Sequence, residues 1–245
     1  MSNDNNIQWK RISVEGAAIV FSILLAFSID AWWDEQQERN DERSFLVAIR
    51  NELENNLTEI EKELTYRHAV DESIMKILAA GAGEIEVDPD ELDRLIGDLL
   101  WWGKAKFQTG ALDSTLLGGV LPLIENEDLR HLLAGLPVEY EQIRSLERQD
   151  KETLSNIIYP YIFKNASLPQ ISNTLTVQPG TSEAYPTPSK YPVGAHNDHS
   201  SVLQDSEFLS IVTKSRYDQI DAIWGYGVLR AKITQVIEVI NGELN

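Results

Sequence analysis

Two constellations in the sequence carry residue types that do chemistry. His196-Asn197-Asp198-His199 places two imidazoles and a carboxylate close together, a donor set that suits a divalent cation. Its competing reading is a solvated loop, because the surrounding stretch offers no helix to hold three ligands in place. Glu15 and Asp30 form the second constellation, since they bound the charge-free run GAAIVFSILLAFSI. A carboxylate inside a bilayer is a candidate proton or cation relay, or a polar contact that sets the register of an assembly. Here the competing reading is that both acids lie about one turn inside the boundaries and reach interfacial water. No HExxH, Gly-rich phosphate loop or nucleophile elbow is present, so neither catalytic residues nor a cofactor can be named. Carboxylates are plentiful on solvated faces, and sequence alone does not pair them into an acid and a base.

These acids would be positioned by a helix. The apolar run itself spans only ~21 Å against ~30 Å of hydrocarbon, so a true span must extend from about Ile12 to Trp33. Trp9 on one side and Trp32 and Trp33 on the other then stand ~35 Å apart, where interfacial aromatic belts belong. Lys10 and Arg11 flank the N-terminal end, whereas Asp30, Asp34, Glu35 and Glu38 open the other. Basic flanks stay in the cytoplasm. The expected topology is a cytoplasmic tail over 1–11, a transmembrane helix over 12–33 in the inner membrane, and an extracytoplasmic, periplasmic domain over 34–245. A cleaved signal peptide competes, with Ala26-Phe27-Ser28 as its cleavage site, but Glu15 is out of place in such a segment.

At 100° per residue, Glu15, Ala18, Ser22, Ala26, Ile29 and Trp33 fall within about 60° of one line. This small and polar face permits close helix approach in lipid, with Ser22 able to hydrogen-bond across the contact. The chain's expected partners are therefore the bilayer and itself, as a homo-oligomer.

Beyond the span, Leu46, Ile49, Leu53, Leu57, Ile60 and Leu64 recur in steps of three and four, the pattern of an amphipathic helix. Gly81-Ala82-Gly83 supplies its stop, Asp88-Pro89-Asp90 the next start, and Asn126 another. Pro137 is expected to kink or restart that later helix. Pro, Ser and Thr dominate from about 164 to 204, which reads as one long loop, and a last helix follows over 206–243, with Phe208, Ile211, Ile220, Ile223, Ile233, Val236, Ile237 and Ile240 expected on its buried side. The fold class is all-α: a transmembrane helix continuing into an antiparallel helical bundle with one Pro-rich loop.

Composition bounds the partners. The chain has 245 residues, 39 acids against 21 lysines and arginines, and a formal charge of −18. That balance argues against nucleic acid, for which clustered Lys and Arg are needed. With no cysteine, disulfides and thiolate chemistry are excluded.

EGAAIVFSILLAFSIDAWWDEQQER, residues 15–39, and STLLGGVLPLIENEDLR, residues 114–130, resemble an uncharacterised family of bacterial single-pass membrane proteins. The resemblance implies an N-terminal span and a helical extracytoplasmic domain, and brings no activity with it. Three functions stay open on sequence: a membrane-anchored scaffold or interaction protein, a subunit of an ion or proton pathway or envelope sensor using Glu15, and an enzyme with an unrecognised site.

Overall fold

The computed structural model describes residues 4–175, 191–194 and 196–244, with side chains from Glu15 onward. Helix α1 runs unbroken from Asp4 to Gly81, 78 residues or about 117 Å. Nothing interrupts it between the apolar run and the bundle, because no Gly or Pro occurs from Ala17 to Ala80. It ends as its sequence dictates. Gly83 adopts φ +74°, and the amides of Ala82, Gly83 and Glu84 fold back onto the last carbonyls.

The remaining elements are α2 (Pro89–Leu99), α3 (Gly110–Leu117), a 3₁₀ turn (Leu121–Leu123), α4 (Glu127–Thr153), a π turn (Leu154–Ile158), α5 (Tyr159–Asn165), α6 (Leu168–Thr174), α7 (His199–Gln204) and α8 (Ser206–Leu244). Both expected N-caps are in place: Asp88 accepts the Asp90 amide, and Asn126 accepts that of Leu129. Helix α4 continues across Pro137. The interruption falls instead at the π turn, where Pro160 lacks the amide that would bond four residues back and its ring crowds that carbonyl.

Helices α1, α4 and α8 form the bundle. Arg50 meets Asn241, Glu61 meets Arg230, and Asp71 meets Arg216, so α8 runs antiparallel to α1. Asn56 bonds Tyr140 and Arg67 bonds Asp150, so α4 runs parallel to α1. Two apolar cores result. The one nearer the apolar run holds Leu46 to Leu64 of α1 with Leu129 to Ile143 and Tyr226 to Ile240. The distal one holds Tyr66 to Ile77 with α2, the segment 154–171, and Val202 to Val212.

Two expectations need correction. The stretch read as one loop over 164–204 contains α6 and α7, and Ile171 and Val202 are buried in the distal core. Short apolar anchors there outweigh the Pro and Ser content that marked a loop. In α8, Ile220 is exposed, while Tyr226 and Leu229 are fully buried.

Segment 101–109 is irregular and lies along α1 without a sheet partner, so its backbone must find side-chain partners. A polar stripe on α1 supplies most of them. Tyr66 donates to the Trp101 carbonyl at 2.8 Å, Glu59 accepts the Lys106 amide, and Asn56 both accepts from and donates to Gln108. Glu52 then accepts the Ala111 and Leu112 amides and so holds the first turn of α3.

Candidate functional sites

The apolar run of α1 is one helix segment long and apolar enough to cross a membrane. Every residue from 15 to 40 is exposed, including Glu15, Ala18, Ser22, Ala26 and Asp30. Trp32 and Trp33 are exposed and meet edge-to-face at its end. The side chains of Trp9, Lys10 and Arg11 lie outside the described residues. Ser22 donates its hydroxyl to the Ala18 carbonyl at 2.8 Å, as Ser28 does to Leu24. Its proton is therefore used inside the helix, which leaves its oxygen lone pair to accept from a neighbouring helix.

The His-rich stretch does something other than gather ligands. His199 Nε2 stands 3.1 Å from Asp93 Oδ1, and Asp93 is fully buried on α2. Asn197 and Gln170 donate to the same carboxylate at 2.7 and 2.6 Å. Asp198 caps α7 by accepting the Ser201 amide, and His196 is exposed. The three candidate ligands diverge. Among the described residues, no three His, Asp or Glu side chains converge in a way that could hold a metal. Asp93 instead anchors the returning chain to α2, because a buried carboxylate must have its lone pairs satisfied.

A second constellation lies where the two cores meet. Arg67 is 1% exposed. It bonds Asp150 at 2.6 Å and Gln219 at 3.2 Å, and its guanidinium sits 5.2 Å from the centre of the Tyr226 ring. Tyr226 donates to Glu147 at 2.5 Å, and the Ala105 amide donates to the same oxygen. Asp218 accepts from Thr153, Gln149 and Lys214. A cavity of about 30 Å³ lies beside Arg67, Asp150 and Asp218, room for one water.

Burial governs the protonation of this layer. Desolvation raises the Asp150 carboxyl above its ordinary range despite the opposing charge of Arg67. Glu63 is raised for the same reason, and Arg67 again only partly offsets it. Glu63 Oε2 is buried without a hydrogen-bond partner, and so is Arg67 Nε. Gly103 approaches so closely that a Cβ there would stand 3.0 Å from Glu63 Oε2. Tyr226 is raised far above its usual value, by burial first and then by Glu147, and burial pushes Tyr140 up to about 12.

The sequence held one usable signal for this layer. On a helical projection Arg67 falls within about 45° of the centre of the apolar stripe of α1, where a charge demands a partner. The partner's identity, 83 residues away, was not readable. No protein-family model, curated protein or solved structure matches the chain.

Proposed function

We propose that this protein is a membrane-anchored helical scaffold that assembles with itself through α1. In this reading the chain crosses the inner membrane once over 12–33, with the tail in the cytoplasm and the domain over 34–245 extracytoplasmic. The observation that carries it is the continuity of α1. The fully exposed apolar segment and the stripe that organises both cores belong to one helix without a break. Contact between spans therefore fixes the spacing and orientation of the domains above them. The family resemblance of 15–39 and 114–130 implies the same topology. Glu15, Ala18, Ser22 and Ala26 form the contact face, since small residues admit close packing and Ser22 retains an acceptor.

Native mass in lipid nanodiscs tests the reading. The wild type should carry several copies, and Ala18→Leu with Ala26→Leu should shift it to one while leaving the domain's melting temperature unchanged. A monomeric wild type would end both this reading and that of Glu15 in an ion pathway, because a single helix encloses no pore.

A further inference from the structure

In a chain with 39 acids and 21 basic residues, one groove reverses the balance. It lies between the irregular segment 102–107 and α4, with a volume of about 420 Å³. Its lining includes Lys104, Lys106, Arg144, Arg148 and Lys151, and its only lining carboxylate is Glu147. Glu147 is buried and already engaged by Tyr226 and the Ala105 amide. Glu141 on the rim pairs with Arg148 at 2.9 Å and with Arg144 at 3.8 Å. Among the described residues, no carboxylate oxygen lies within 4.0 Å of the ammonium nitrogen of Lys104, Lys106 or Lys151, although Glu59 accepts the Lys106 backbone amide. Lys151 sits over the Trp102 ring, 5.2 Å from its centre, so that aromatic face helps hold the cation in place.

We propose that this groove binds an acidic peptide segment of a partner protein. Arg144, Arg148 and Lys151 share one face of α4 over about 10 Å, opposite Lys104 and Lys106. Cations spread over that length match several carboxylates in a row better than one small anion. Trp102 and Phe107 supply apolar surface for the partner's side-chain stems. A long polyanion would have to cross the acidic surface beyond the groove, whereas a short segment meets only the groove.

Height selects against lipid. The groove lies level with Glu59 and Glu63, about 40 Å along α1 from Trp33, beyond the reach of a headgroup. This exclusion rests on the membrane reading above. The match between the groove's cations and a row of carboxylates is independent of it.

The test uses the full chain in nanodiscs of neutral lipid and a fluorescein-labelled decapeptide of Asp and Glu. Arg144→Gln, Arg148→Gln and Lys151→Gln together should weaken binding by about tenfold or more, since each removes one charge contact. Lys104→Gln with Lys106→Gln should weaken it from the opposite wall. Lys76→Gln, on a distant surface, should leave it unchanged. The proposal is overturned by equal binding of an Asn and Gln decapeptide, or by displacement of the acidic peptide by inorganic phosphate at equal concentration. It is equally overturned if the triple variant keeps full affinity, or if its only effect is a lower native mass, which would assign the groove to a second copy. Native mass of the same samples separates the two proposals: a monomer that binds the peptide sinks only the assembly, and an oligomer that does not sinks only the groove.

Discussion

The two halves of α1 have the same backbone and opposite surroundings. Over residues 15–40 every side chain is exposed, and apolar residues occur on nearly all faces. Over residues 46–77 the apolar residues form a stripe, and Leu46, Ile49, Leu53, Ile60, Ile74 and Ile77 are buried to 2% exposure or less. Composition around the helix therefore separates the two halves. A stripe packs on a protein core, whereas the exposed apolar run is long and apolar enough to cross a membrane.

The largest expected effect breaks the second half at its one buried cation. Arg67→Ala strands Asp150 without its ion-pair partner and removes the stronger of the two cations acting on Glu63, and should cost about 3–5 kcal/mol by urea unfolding. A loss under about 1 kcal/mol would show that water penetrates the layer and solvates both acids.

Next comes the same substitution made twice. Leu53→Ala should cost about 2–5 kcal/mol, because the side chain is fully buried and leaves a cavity. Leu24→Ala in the exposed half should leave the melting temperature of the domain unchanged in nanodiscs. Equal effects at both positions would erase the distinction between the halves.

The smallest expected effect has the opposite sign. The folded-state pKa of Glu63 is raised, so its protonated form favours folding, and that stability is lost as pH rises from the ordinary carboxylate value through the raised one. Glu63→Gln mimics the protonated form and should stabilise the domain by about 1–2 kcal/mol at neutral pH. The gain should shrink as pH falls towards the ordinary value of 4.5. A gain that is flat across that range would mean that Glu63 does not titrate with folding.

Much of the frame was legible because its causes are local. The stop at Gly81 and Gly83, the caps at Asp88 and Asn126, and the stripe from Leu46 to Leu64 each follow from residues within a turn or two of one another. The 164–204 stretch misled because its composition averages over α6, α7 and the segments around them, while single residues such as Ile171 decide their burial. The basic groove forms no local cluster of Lys and Arg in the sequence, because its two walls are separated by about forty positions in the chain.

By itself, the sequence determined the helical class, the unbroken α1 with its two kinds of surface, and the net acidity. Those properties depend on periodicity, capping and composition, which act over a few residues or over the whole chain. Only the tertiary structure decided that His199 meets Asp93, that Arg67 meets Asp150, and that five cations share one groove. Such contacts join residues far apart in the chain. Their partners follow from how the helices pack and not from any local pattern.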